Sequence, residues 1–271
     1  MSARSRSDAV PIGLPRWAFV PAGLAVVLLV LPLLALVIRA DWTRVPSALF
    51  SEQARDALWL SLRCGLAATV ICLVLGTPLA ILLARRDGAG SRLLRAAVTV
   101  PLVLPPLVGG IALLYLLGIK GLAGRYLFAW FDIRIAFTTI AVVIAETFVA
   151  LPFLVLTLEG AVRSAGTRYE AVAATLGAGR FTVLRRVTLP LLRPALASGT
   201  ALCFARALGE FGATALFAGN RQGITTTMPL EIYGAFNGGA ESTDAAIAMS
   251  LLLVVVAVAI LVLIRPRRLA E

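Results

Sequence analysis

Three charged side chains stand deep inside otherwise apolar runs of this 271-residue chain: Arg206, Glu210 and Glu146. Each would be costly in hydrocarbon if left unpaired. Arg206 and Glu210 are four residues apart, so on a helix they share a face and can pair. The chemistry such a set offers is ion pairing, used either to clamp helices together or to gate a path. It offers no anion site, because an arginine between two carboxylates presents no net positive charge. Catalysis has little to work with. The chain has no histidine, which excludes Ser-His-Asp and Cys-His nucleophile systems and His-ligated metal sites. Cys64, Cys72 and Cys203 lie in apolar runs without CxxC spacing and read as packing residues. No catalytic residue, metal ligand or cofactor is expected.

The elements that position these charges are membrane helices. Hydrophobic residues make up 60% of the chain, charged residues 14%, and the mean hydropathy is +0.94, against about 25% charged in a soluble domain. A bilayer core needs about 20 apolar residues in helix, and six such runs appear: 17–38, 59–83, 96–117, 135–158, 195–217 and 245–264. The basic N-terminal stretch with Arg4, Arg6 and Arg16 resembles a signal n-region. The run after it, however, is too long and lacks an A-x-A cleavage site, so it reads as a retained helix. With the N-terminus inside, the inner segments hold 16 of the 25 basic residues and the outer ones 7, and the whole net charge of +11 falls on one side. Both termini are therefore expected in the cytoplasm. The positive charge is accounted for by topology and anionic lipid rather than by nucleic acid.

Counted along ideal helices at 1.5 Å per residue, Glu146 lies ~18 Å and Arg206 ~16 Å from the cytoplasmic end of their spans. The matching depths predict that Arg206 is held between Glu210 and Glu146, within one protomer or across a dimer. Arg63, near the outer end of the second run, can snorkel to headgroups and receives no function. Pro101, Pro105, Pro106, Gly109 and Gly110 predict a kink or break in the third run. In lipid, such a break survives only against protein or a water-lined cavity.

The segment 159–194, inside by the charge count, is the most informative. Thr167 and Glu170 have capping-box spacing. Tyr169, Val172, Ala173 and Leu176 then give a short helix one apolar face, and Gly177 and Gly179 permit a turn. A second short helix carrying Phe181, Leu184 and Val187 is expected to end near Pro190. The resulting helix-turn-helix lies at the membrane surface. It is either a plain interfacial hairpin or a docking element for a partner protein.

Glu170, Ala171, Ala173 and Gly177, followed after nine residues by Val187-Thr188-Leu189-Pro190, resemble the EAA signature of permease subunits of ATP-binding-cassette importers. Val187 stands in an isoleucine place and Val172 in an alanine place, and Glu170 precedes Gly177 by seven residues where six is usual. The stretches 204–220 (FARALGEFGATALFAGN) and 225–233 (TTTMPLEIY) are similar to the permease of the molybdate importer and, less closely, to sulfate importer permeases. The resemblance implies an all-α type I importer permease fold with six transmembrane helices, forming one domain over 1–271 in a prokaryotic inner membrane.

It also implies several partners. Two copies of a cytoplasmic ATP-binding subunit would dock on 165–190 through Glu170, Ala171, Ala173, Gly177, Leu189 and Pro190. An extracytoplasmic molybdate-binding protein would meet the outer loop 219–244, with Asn220, Arg221, Thr225, Thr226, Thr227, Gly238 and Gly239. A second copy of the chain would complete the pathway. The chain contains no Gly-x4-Gly-Lys-Ser/Thr loop, which fits a separate ATPase. The alternatives are a sulfate or tungstate importer of the same class, or an ATP-independent anion channel or carrier that would leave the hairpin without a role. A lipid-modifying enzyme would need a catalytic set that the interface lacks.

Overall fold

The computed structural model describes residues 16–238 and 243–264. Arg4, Arg6 and Gly239, named above, lie outside them. The chain divides into two units, Met1–Asp41 and Trp42–Glu271. The first is carried by α1 (Phe19–Arg39), which has no buried residue. Its 21 residues span about 32 Å, enough for a hydrocarbon core.

The second unit begins with a short α2 (Val45–Leu49) and a long α3 (Glu52–Arg85). Ser51 starts α3 by accepting the Ala54 amide at 3.3 Å. At 34 residues, α3 is about 51 Å long and outruns the bilayer core. Next come α4 (Ala89–Val103), α5 (Pro106–Leu117), α6 (Gly124–Phe131) and α7 (Thr139–Ala165). After α8 (Arg168–Thr175) the chain runs through α9 (Arg180–Val183), a π-turn at Leu184–Thr188, and α10 (Leu189–Leu191). It then enters α11 (Arg193–Leu208), and α12 (Gly212–Phe217), α13 (Met228–Phe236) and α14 (Thr243–Ile264) complete the unit.

Only helix is present among the described residues, as expected. Four helices, α1, α3, α7 and α14, are long and apolar enough to cross a membrane. Two bent pairs bring the number to six if each is one span. The α4–α5 pair turns by 116°. Leu104 and Pro105 are extended there, because consecutive prolines remove the donors that would continue the helix. The expected break is thus sharper than a kink. The continuous fifth run expected over 195–217 is instead divided, since α11 stops at Leu208 and α12 starts at Gly212. The fourth run was expected to end at 158, but α7 continues to Ala165 and takes Glu159 and Arg163 out of the loop.

The centre of the second unit is α7, packed against α3, α11, α4, α5 and α12. Small residues let these helices approach, with Cys64, Cys72 and Cys203 buried among them. α5 and α12 approach closely. A Cβ on Gly110 would stand 2.8 Å from the Ala213 carbonyl oxygen, and one on Gly212 would stand 2.7 Å from Pro106 Cβ. Because the obstacle at Gly110 is backbone, Gly110→Ala is expected to cost about 1–3 kcal/mol of stability. Gly160→Ala, where the new methyl meets nothing within 4 Å, is the control. Thermal unfolding in detergent checks the pair, and equal midpoints would refute the close-approach argument.

Candidate functional site

The segment 167–191 forms the hairpin read from the sequence, but it is held differently. Thr167 adopts a helical conformation and makes no side-chain cap bond, so the capping box does not form. Glu170 is drawn instead to tertiary partners. Its Oε1 accepts from Arg85 Nη2 at 2.5 Å and from the Thr188 hydroxyl at 2.7 Å. Arg85 also donates to the Gly166 carbonyl at 3.3 Å. One carboxylate therefore ties α8 to the end of α3 and to the π-turn that follows α9.

The second arm ends near Pro190, as expected. The chain runs helically from Arg180 to Leu191 and bends by 69° into α11. The π-turn over Leu184–Thr188 shifts the hydrogen-bond register just before the residue that lacks a donor. Gly177, at φ +82, turns the chain out of α8, with Ala178 N donating to Ala173 O at 3.0 Å. Ala173, Leu189 and Pro190 are half-buried, whereas Ala171 is exposed.

The apolar face predicted on α8 points outward. Leu176 is 82% and Phe181 73% exposed, with Tyr169 and Val172 beside them in the hairpin also exposed. Four large apolar side chains in one short hairpin, held from behind by an ion pair, form a patch that awaits a cover.

A second clamp ties Glu159 and Arg163, expected in the 159–194 segment, to α3 and α4. Glu159, buried on α7, accepts from Arg95 at 2.7 Å and from Arg163 at 3.1 Å. Both arginines also reach the Leu83 carbonyl, at 3.3 and 3.2 Å. The i,i+4 spacing of Glu159 and Arg163 was the available signal. Arg95 and the Leu83 carbonyl could come only from the fold. Together the two clamps join the hairpin, α3, α4 and α7 at one end of the bundle.

Inside the bundle, Arg206 Nη1 bonds Glu210 Oε2 at 2.7 Å. Glu210 Oε1 accepts the Ala213 amide at 2.8 Å and so caps α12. This explains why the fifth run breaks at Gly209–Phe211, since the side chain supplies the acceptor that a continuing helix would have supplied. Among the described residues Arg206 makes no ion pair with Glu146. The three-membered set read from the sequence is, within the chain, the Arg206–Glu210 ion pair with Glu146 outside it. Glu146 Oε2 is buried without a hydrogen-bond partner. Matching depths hold for ideal continuous helices, whereas Glu210 sits in a turn between α11 and α12 and serves both Arg206 and α12.

At the other end, Arg63 lies 4.2 Å over the Trp59 ring. The segment around Thr225–Thr227 is not an open loop. All three threonines are buried, Thr225 Oγ1 accepts the Arg221 amide at 2.9 Å, and the Thr226 hydroxyl bonds Asn220 at 2.7 Å.

A family model described as binding-protein-dependent transport system inner membrane component matches residues 76–270. The molybdenum transport system permease protein ModB of Mycobacterium tuberculosis is 54% identical over 242 residues, 89% of this chain and 90% of the relative. That of Escherichia coli K12 is 38% identical over 203 residues, 73% of this chain and 89% of the relative. Among solved structures, a bacterial importer of the acidic polysaccharide alginate superposes with a TM-score of 0.67 at 20% identity, covering 94% of this chain and 96% of its own.

Proposed function

Because the chain belongs to the family of inner membrane components of binding-protein-dependent transport systems, we propose that it forms the membrane path of an ATP-driven molybdate importer. It is a transport subunit rather than an enzyme, and ATP hydrolysis lies on a separate subunit. The observation that carries the substrate assignment is the 54% identity to a molybdenum transport permease over 89% of the chain.

The contacts support one path of force. The exposed face of Tyr169, Val172, Leu176 and Phe181 receives a cytoplasmic ATP-binding subunit, with Ala171, Ala173, Gly177, Leu189 and Pro190 shaping the hairpin. Motion of that subunit pulls on Glu170. Through Arg85 the pull reaches α3, and through the bend at Leu192 it reaches α11. The Glu159 clamp keeps α3, α4 and α7 moving together. At the far end of α11, the Arg206–Glu210 pair holds the α11–α12 break rigid, so that a tilt of α11 becomes a displacement of α12 against α5. Two copies of the chain, two of the ATP-binding subunit and an extracytoplasmic molybdate-binding protein complete the assembly. Both termini of the chain lie on the cytoplasmic side.

Uptake of labelled molybdate into proteoliposomes holding the chain, its ATPase and its binding protein tests this reading. ATP-dependent uptake that excess sulfate does not suppress is expected. Suppression by sulfate would move the substrate to a broader oxyanion class. Uptake without ATP or partners would replace the importer by a channel or carrier.

A further inference from the structure

The connection between α5 and α7 carries a surface with no part in the path of force. Gly118, Gly121 and Gly124 recur at three-residue spacing and fold the chain back onto the end of α5. Leu122 N donates to Tyr115 O at 2.9 Å and Ala123 N to Leu116 O at 2.8 Å, and a Cβ on Gly121 would stand 2.6 Å from that same Tyr115 oxygen. Backbone bonds rather than a loose tether thus hold the start of α6. From there α6 turns its aromatic residues outward. Trp130 is 73% exposed, with Tyr126 at 5.5 Å and Phe131 at 6.5 Å between ring centroids.

Cations flank these rings. Arg125 lies 4.6 Å over Tyr126 and donates to its phenol oxygen at 2.8 Å, and Arg134 lies 4.8 Å over Phe128. Lys120 stands on the turn before α6. Asp132 is the one acid between residues 118 and 138. Next to the turn that leads into α6 is an apolar groove of about 280 Å³ between the end of α5 and Phe137, lined by Leu114, Tyr115, Ile119 and Lys120.

Topology places this surface. The 27-residue α7 starts just after α6 and ends just before α8, so about 40 Å of helix separates α6 from the hairpin. A bilayer spanned by α7 therefore has α6 at the surface opposite α8. Aromatic rings at that level, with an apolar body and a polar edge, suit the boundary between headgroup and acyl chain. A guanidinium has five N–H donors, so one held over a ring face still has donors for phosphate oxygens. The groove, apolar except for Lys120, has the character of an acyl chain rather than of a free oxyanion.

We propose that α6 and the adjoining groove bind an anionic phospholipid at the membrane surface opposite the hairpin, with Lys120, Arg125 and Arg134 on the phosphate and an acyl chain in the groove. The proposal rests on the membrane-spanning reading but not on substrate or ATP.

The test uses the full chain with Trp130 as its sole tryptophan, the other three replaced by phenylalanine, in vesicles of phosphatidylglycerol or phosphatidylcholine brominated high on the acyl chain. Trp130 emission is expected to be quenched in both lipids, at least twofold more in phosphatidylglycerol. Lys120→Gln, Arg125→Gln and Arg134→Gln combined should abolish that preference and leave the residual quenching. No quenching in either lipid, as a covering protein would give, or equal quenching in both lipids, overturns the proposal. Should the single-tryptophan chain fail to fold, native mass spectrometry of the unaltered chain against the triple Gln variant reads the same preference as retained phosphatidylglycerol, and equal retention overturns it.

Discussion

Arg206→Ala is expected to lower stability by about 3 kcal/mol and to abolish uptake. The estimate follows from the partner left behind, because removing one member of a buried ion pair strands the other charge, at a cost of about 3–5 kcal/mol. Glu210 is 1% exposed, while the Arg206 side chain is 26% exposed, which places the figure at the low end. The loss also reaches the backbone. Glu210 holds the first turn of α12 through the Ala213 amide, and without Arg206 to fix its carboxylate the α11–α12 break loosens. Adding Glu210→Gln should recover much of the stability, since glutamine removes the stranded charge and still accepts from Ala213. Glu146→Gln, at a carboxylate with one oxygen lacking any partner, should not destabilise. Thermal unfolding in detergent and reconstituted uptake read the series. If Arg206→Ala unfolded like the unaltered protein, the pair would be ornamental.

Glu170→Ala should leave a folded chain that still binds its ATPase and yet transports poorly. The carboxylate accepts from Arg85 and Thr188 at once. With Glu170 about a quarter exposed, the two bonds together contribute on the order of 2 kcal/mol. Lost from the step that carries motion from hairpin to α3, this amounts to roughly thirtyfold in rate. The face proposed for docking is expected to stay as it is, because Tyr169, Val172, Leu176 and Phe181 are exposed and take no part in these bonds. Leu176→Ser with Phe181→Ser should therefore behave in the opposite sense, weakening ATPase binding itself. Exchanging the charges, Arg85→Glu with Glu170→Arg, should restore part of the transport. Sedimentation with the ATPase separates binding from uptake. Loss of ATPase binding in Glu170→Ala would move the carboxylate from linkage to docking.

The hairpin shows where local pattern ends. The spacing of Tyr169, Val172 and Leu176 fixes one face of α8 whatever surrounds it, so that face was legible. Glu170 was assigned a local partner, Thr167, and the fold gave it Arg85, 85 residues away in sequence. A carboxylate goes to the strongest cation within reach, and reach is a tertiary property.

From the sequence alone came the helical class, the apolar runs, the break at Pro101–Pro106, the hairpin with its apolar face and the Arg206–Glu210 pair. All of these depend on interactions within a few residues, or on the length of chain a bilayer demands. The fold alone decided the division of the fifth run at Glu210, the extension of α7 to Ala165, and the Glu159 clamp with Arg95. It also left Glu146 out of the Arg206–Glu210 ion pair and seated α6 by backbone bonds. Each of these turns on which groups distant in the chain come within about 3 Å, and periodicity carries no information about that distance.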